Sequence, residues 1–461
     1  MLLLSFNALA DGDAAMEPMR AQFCHADNNV SLWRHMQELL HSLVTARKEE
    51  SEQEVFFATA LARTNASRGA LLSAFATFVH DILATFCVVS SNRPAMFLNI
   101  YSFIYLKYWL LAIIDKLRVY LGKLFFNLQS DSLAATVLKD CGMTFMSDEV
   151  VTGGFAGSVR RIYLRNREDE DSPGSIIIKS VSTTLHMRSH SAMCGVCQRE
   201  VRFYNEISRT LPIPVPEVYF SEWKDWRCYQ LIVMEDIRMG IPALDRLLTP
   251  AGAKTIVQEV MLVAARIHAK YWGATPSTLA KSSLGKYSWL KGYDYIQGRS
   301  RGMYEYCKNN ISACWDEVKA AISEGRLGDR QYEIKWSPEL VKFIDKAIED
   351  STWDAYQKYL KTHKHPLTLV HGDYHAGNQL WVEKTKKLYT VDWSAVSVGE
   401  GPADLAGYFF FPHTARYRQW ESELISIYWN ELRRQGVNHS SYPLSMCREA
   451  YVRGGIDRGI Q

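Results

Sequence analysis

The run LVHGDYHAGNQLW, Leu369 to Trp381, sets His371, Asp373 and Asn378 in a His-x-Asp-x-x-x-x-Asn spacing, and Asp392 ends the short apolar stretch of YTVDW soon after. An amide and a carboxylate, Asn378 and Asp392, offer the hard oxygen ligands that Mg2+ prefers, while Asp373 can accept or orient the proton of an attacking hydroxyl. Moving a phosphoryl group from ATP needs those parts and two more, a cradle for the phosphates and a cation on their oxygens. Upstream, Gly153, Gly154 and Gly157 of TGGFAGSV lie between strand-like runs, where missing side chains let backbone N–H groups approach phosphate oxygens. Lys179 ends the apolar run SIIIK, and its ammonium needs a partner to leave water. Glu200, on the helix-patterned stretch that follows, can supply it. His371, placed with Asp373 in the catalytic set, is expected to brace the loop rather than titrate.

These residues must be carried by elements that bring them together. Residues 1–135 read as a helical extension: apolar residues recur at three-and-four spacing, proline is scarce and no chemistry is evident. Near Cys141 the character changes to β-rich runs, SDEVVTGGFAGSVRRIYLRN and GSIIIKSVS, separated by the acidic turn REDEDSPG. CQREVRFYNEISRTL then reads as a helix, PIPVPEVYF as an extended segment and CYQLIVMEDI as a buried strand. From about Gly240 to His363 the pattern is mostly helical, including AKTIVQEVMLVAARIHAKYWG and ELVKFIDKAIEDSTWDAYQKYL. The expected class is α+β: a helical extension (1–135), a small β-rich N-lobe with hinge (136–238) and a large helical C-lobe with the catalytic loop (239–461).

A formal charge of +3 on 461 residues, without a Lys/Arg-rich block, gives no reason to expect a nucleic acid partner. Nine scattered cysteines suit a reducing, cytoplasmic compartment. Cys194 and Cys197 have half the spacing of a zinc site with no second half, and read as two thiols in a polar loop. The N-terminus lacks the basic and long apolar regions of a signal peptide. Ala70 to Val89 and Ala95 to Ile114 approach the length of a membrane span, but His80, Asp81 and Lys107 interrupt them, and Asp115, Lys116, Arg118 and Lys123 follow. The stretch 70–126 is therefore expected to form buried or membrane-surface helices.

In type and order the chemical set resembles the protein-kinase template, from which its roles are taken. More than a hundred mostly helical residues separate Glu235, in the hinge-like VMEDI, from His371, and only about ten separate Asp392 from GPADLAG, with no A-P-E element between them. That leaves little room for a peptide platform. HGDYHAGNQLW, VDWSAVSVGEGPADLA, LIVMEDI, REVRFY and ARIHAKYWG resemble instead the aminoglycoside phosphotransferase and choline kinase superfamily, most of all its ecdysteroid-kinase-like, CHK-kinase-like branch, from about Cys141 onward. The resemblance implies a two-lobed protein-kinase-like fold, ATP with Mg2+, and transfer of the γ-phosphate to a small-molecule alcohol. It makes Asp373 the base, Asn378 and Asp392 metal ligands, Lys179 the phosphate-binding cation and Glu200 its ion-pair partner. The loop Gly153 to Ser158 would cover the nucleotide, Glu235, Asp236 and Ile237 would offer backbone contacts to adenine, and Asp404 would brace the catalytic loop.

Ser394 stands where such proteins often carry glutamine or glutamate, and the chain, which ends at VRGGIDRGIQ, is expected on the resemblance to stop short of their last helices. Trp272, Tyr287, Trp289, Tyr293, Tyr295, Tyr304, Tyr306 and Trp393 could line an acceptor pocket, although helix packing accounts for most of them. A sterol-like alcohol, an amino alcohol and an aminoglycoside-like acceptor all remain open. The competing reading is a non-catalytic nucleotide-binding scaffold held at a membrane through 70–126.

Overall fold

The computed structural model describes residues 107–109, 111–113, 145–151, 157–164, 174–182, 184–225, 228–238, 240–243, 253–326, 336–410 and 419–460. All of them lie in one compact unit, Ala76–Tyr120 with Gln129–Gln461. Apart from a helical segment at 107–109 and 111–113, the extension expected at 1–135 lies outside the described residues. Among the described residues no helix is long and apolar enough to cross a membrane.

Five strands, β1 (Phe145–Val150), β2 (Gly157–Leu164), β3 (Ser175–Val181), β4 (Val218–Lys224) and β5 (Tyr229–Glu235), form one antiparallel sheet in the order β1-β2-β3-β5-β4. The isoleucines of β3 and the continuous apolar run of β5 take the interior positions, where β-branched side chains pack well on a pleated surface. Gly157 opens β2 opposite Val181, and a Cβ there would stand 2.6 Å from the Ser180 carbonyl oxygen, so this close strand approach requires glycine.

Two helices separate β3 from β4. The first, α1 (Leu185–Met193), has no counterpart in the sequence reading; the second, α2 (Val196–Glu206), is the expected one. They meet at Cys194 and Gly195, where glycine adopts φ 67° and lets the chain turn within two residues. The polar loop expected around the two thiols is therefore wrong: Cys194 caps α1, and Cys197 lies in the first turn of α2, buried. Val201, Phe203 and Tyr204 are the apolar face that holds α2 in the core.

The C-lobe begins with β6 (Gly240–Pro242) and α3 (Ala253–Lys270), followed by turns through 271–300, α4 (Arg301–Ser323), α5 (Pro338–Asp350) and α6 (Trp353–Thr362). The expected run of helix over ELVKFIDKAIEDSTWDAYQKYL is broken. Thr352 accepts the Ala355 N–H through its side chain at 3.1 Å and starts α6 afresh, as Ser337 does for α5 through Leu340. Strands β7 (Thr368–Val370), β8 (Gln379–Val382), β9 (Lys387–Thr390) and β10 (Ser397–Gly399) then alternate with tight loops, before helices α7 (Pro402–Phe410), α8 (Glu421–Arg434) and α9 (Leu444–Ile460). Pairing of β6 with β8 ties the exit of the hinge to the segment after Asn378, and pairing of β7 with β10 brackets the loops that carry His371 and Asp392.

One large core runs from α2 through α3 to α8 and includes the loop after Asp392. Phe203 of α2 stacks on Trp393 with ring centroids 4.0 Å apart and planes 9° from parallel, so the helix of the small lobe is seated on the large one.

Candidate active site

Lys179 stands in the middle of the sheet, paired with Val159 of β2 and Ile232 of β5. Its ammonium donates to Glu200 Oε1 at 2.8 Å and to Asp392 Oδ1 at 2.7 Å. Burial alone would lower the pKa of this lysine, but the charges of Asp392 and Glu200 outweigh it and hold the group above its ordinary value. Glu200, 1 % exposed, is pushed upward by burial against Lys179 and against Gln230, whose amide donates to Oε2 at 2.9 Å. Burial also opposes ionisation of Asp392, yet the Lys179 charge and hydrogen bonds from Lys179 and Ser394 hold its carboxyl well below the usual range. With 36 % of its side chain exposed against 14 % for Lys179, Asp392 is the member of the triad that opens toward solvent.

The Asp392 backbone has φ 59°, a left-handed conformation that non-glycine residues rarely take, and it turns the chain sharply between β9 and Trp393. Just before it, the Val391 N–H donates to the Asn378 carbonyl oxygen at 2.9 Å, which brings the two expected metal ligands onto adjacent backbones. The Asn378 amide nitrogen donates to Asp373 O at 3.0 Å and to Asp373 Oδ2 at 3.3 Å. Its Oδ1 accepts no hydrogen bond among the described residues, so an amide oxygen and a carboxylate are presented together, a donor pair that fits Mg2+.

His371 is fully buried. The Asp373 N–H donates to its Nδ1 at 3.2 Å, so the ring proton sits on Nε2, which donates to Val391 O at 3.0 Å. Burial lowers its pKa, consistent with a neutral ring that joins the Asp373 loop to the Asp392 loop. In this arrangement both nitrogens face backbone groups, Val391 O and the Asp373 N–H. Gly372, at φ 78°, has no room for a Cβ against the Ala395 carbonyl oxygen. The carboxylate of Asp404 on α7 accepts the His371 N–H at 2.7 Å on Oδ2 and the Gly372 N–H at 3.0 Å on Oδ1. Burial opposes its charge, but hydrogen bonds from His268 and the loop hold its carboxyl below the ordinary range. His268 Nε2 lies 3.2 Å from Asp404 Oδ2, and its Nδ1 lies 2.9 Å from the Tyr428 hydroxyl.

At the hinge, Asp236 uses its carboxylate for Arg161 of β2 at 2.8 Å and Ser175 of β3 at 2.5 Å, so its side chain fastens the sheet. Asp236 O and Ile237 O accept the turn N–H groups of Arg238 and Gly240, and Glu235 N donates to Glu217 O. Gly157 and Ser158 lie on β2 beside Ser180 and Val181; Gly153 and Gly154 lie outside the described residues. Of the aromatics proposed for a pocket, Tyr287, Tyr293, Tyr306 and Trp393 are buried in packing.

Sequence reasoning missed Gln230, His268, Tyr428 and His375. The last had a visible signal, since it follows Asp373 by two positions. Its Nδ1 accepts the Gly377 N–H at 3.0 Å and its Nε2 lies 3.5 Å from Asp373 Oδ2.

Residues 195–429, just over half of the chain, match the family model described as phosphotransferase enzyme family. Similar solved structures include an ethanolamine kinase from Plasmodium vivax (11 % identity, covering 76 % of this chain and 81 % of that one, TM-score 0.38). An aminoglycoside phosphotransferase from Streptomyces rimosus in complex with ADP and streptomycin has 15 % identity, with coverage of 70 % and 99 % and a TM-score of 0.36. A macrolide 2'-phosphotransferase has 12 % identity, coverage of 72 % and 93 %, and a TM-score of 0.34. No curated protein sequence matches the chain significantly.

Proposed function

The chain belongs to the phosphotransferase enzyme family, and from that premise we propose that it transfers the γ-phosphoryl group of ATP, with Mg2+, to a hydroxyl of a small molecule. The observation that carries this reading is the triad in which Lys179, from the sheet, bonds at once to Glu200 on α2 and to Asp392 beside the catalytic loop. A buried cation held by two acids from different elements is a costly arrangement for structure alone. It suits a site that must present fixed positive charge to phosphate oxygens without reorganising.

Each side chain then has a definable task. Asp373 orients the acceptor hydroxyl and takes its proton, while Asn378 and His375 both approach its Oδ2 and steady the carboxylate. Asn378 Oδ1 and Asp392 would hold Mg2+, which when bound supplies charge neutralisation at the phosphate oxygens. Lys179 adds a second positive charge, and Glu200 with Gln230 stops its side chain from wandering. His371 and Asp404 hold the loop that carries Asp373. Gly157 and Ser158 would approach the phosphates, and the Glu235–Ile237 backbone the adenine.

Within the family we propose the ecdysteroid-kinase-like branch, on the wording of HGDYHAGNQLW, LIVMEDI, REVRFY and ARIHAKYWG, with a sterol-like alcohol as first candidate acceptor. The test is turnover of labelled ATP against sterols, amino alcohols and aminoglycosides, with Asp373→Ala as control. Transfer confined to the wild type supports the mechanism. Equal turnover in both proteins removes it, and magnesium-dependent ATP binding without transfer to any alcohol would favour the scaffold reading instead.

A further inference from the structure

The helical segment at 107–109 and 111–113 lies far outside the residues that match the family, yet it is packed against the helices that position Glu200. Ala112 is fully buried, with Leu185 and Ala192 of α1 and with Cys228 in the turn between β4 and β5. Leu111 and Ile113 pack on the same cluster. Cys228 donates its thiol hydrogen to the Tyr108 carbonyl oxygen at 3.2 Å, and its own carbonyl oxygen accepts Arg188 Nε of α1 at 2.9 Å. A continuous set of contacts therefore runs from the segment through the β4–β5 turn into α1. Tyr108 also packs against the small cluster formed by Met193, at the end of α1, and Tyr306 of α4, as Met303 does.

The consequence reaches the ion pair through short covalent distances. Only Cys194 and Gly195 separate α1 from α2, and Glu200 lies on the second turn of α2. A rigid pair of helices cannot shift at α1 without moving Glu200, and interiors packed at crystal-like density transmit such shifts rather than absorb them.

We infer that residues 107–109 and 111–113 are a positioning element of the phosphotransfer site: a strap that seats α1 between the β4–β5 turn and α4 and so keeps Glu200 within reach of Lys179. The inference rests on the phosphotransfer reading for its functional meaning, while the docking and the coupling to Lys179 are testable without turnover.

The experiment uses the full chain carrying Ala112→Arg, which places a long charged side chain where no space exists, with Ala112→Ser as the conservative control. Alkylation of Cys228 and acylation of Lys179 are followed by peptide mass mapping, alongside kcat and the KM for ATP. Release of the strap is expected to speed both modifications roughly tenfold or more, because labelling then follows the open population. It should lower kcat by as much as about a hundredfold, the scale of a misplacement of about 1 Å, with a smaller change in KM. The serine control should behave as wild type. If Cys228 becomes reactive while Lys179 and kcat stay as in wild type, the segment docks without positioning anything and the inference is overturned. Unchanged Cys228 labelling in the arginine variant overturns the docking itself. Should Ala112→Arg not fold, Tyr108→Ala loosens the same contact and is read by the same outcomes. A wild type without any transfer, but with Lys179 labelling still coupled to the strap, would remove the proposed activity and leave the positioning claim standing.

Discussion

Replacing Asp404 by asparagine isolates what a buried carboxylate does for the catalytic loop. Its two oxygens serve different backbone groups, Oδ2 the His371 N–H and Oδ1 the Gly372 N–H, with His268 Nε2 also on Oδ2. Whichever way an amide sits there, its NH2 faces one of the two backbone N–H groups, donor against donor. A buried donor left without a partner costs about 1–3 kcal/mol, and the bonds that survive lose the roughly twofold strengthening that a charge confers. A loss of about 3 kcal/mol corresponds to a fall of roughly 6–12 °C in the unfolding midpoint for a domain of about 150–250 residues, and to a smaller fall, of a few degrees, in a larger unit such as this one. The pH dependence has a fixed sign. The folded pKa of Asp404 is depressed, so its contribution is complete above the unfolded value of about 3.9 and is lost as pH falls through the lower folded value. Differential scanning fluorimetry of both proteins from neutral to acid pH reads it directly. An unchanged midpoint at neutral pH, or a gap between the two proteins that does not narrow in acid, would show that Asp404 is not the ionised anchor of this loop.

Lys179→Met removes the only cation of the triad, and transfer should fall about 10²–10³-fold, as when a preorganised electrostatic donor is lost; activity within a few-fold of wild type in a coupled ADP assay would contradict the role. Gly372→Ala forces a Cβ into a left-handed residue against the Ala395 carbonyl oxygen, which should cost about 1–3 kcal/mol in chemical denaturation and also reduce kcat, because Asp373 follows directly. The Cys197 thiol is pushed up to about 12 by burial, so it should resist iodoacetamide at pH 8 while the exposed Cys314 reacts; equal rates would mean that α2 is not seated as described.

Much of the site was legible because chemistry leaves side chains where packing would not. A lysine at the end of SIIIK is an anomaly against the surrounding pattern, Glu200 was singled out as its possible partner, and Asp373 and Asp392 from the His-x-Asp-x-x-x-x-Asn spacing and the strand-ending acid after it. β3 and β5 were legible from the runs GSIIIKSVS and CYQLIVMEDI, which contain them, whereas β4 is centred beyond the expected extended segment PIPVPEVYF. What failed was of another kind. The segment LHMRSHSAM carries no strong helical stripe and yet forms α1, where Leu185 and Ala192 pack with Cys228 and with Ala112 of the segment at 107–109 and 111–113. The break at Ser351 and Thr352 depends on one side-chain hydrogen bond to Ala355, a local competitor that hydrophobic spacing does not register. Gln230 was hidden for the opposite reason: β5 is buried on both faces, so alternation gave no hint that one of its residues would be needed by Glu200.

The deeper limit concerns partners rather than residues. A buried charge announces that it must be neutralised, but not by whom. Lys179 meets Asp392 across 213 positions, and Asp404 meets His268 across 136. His268 sits in the apolar helix α3 among residues that look like plain core, and only the fold reveals that it joins Asp404 to the Tyr428 hydroxyl. The same holds for the segment at 107–109 and 111–113, which in sequence belongs to an apolar stretch interrupted by one lysine and in three dimensions packs on α1. Burial patterns can thus identify the groups under electrostatic or packing tension, while topology decides how that tension is relieved. In this chain the relief converges on the Lys179–Glu200–Asp392 triad, fed from the sheet, from α2 and from the loop after β9. On the proposed reading, elements that touch none of the reacting atoms, α1 and the strap included, would then act on transfer by setting where Glu200 stands.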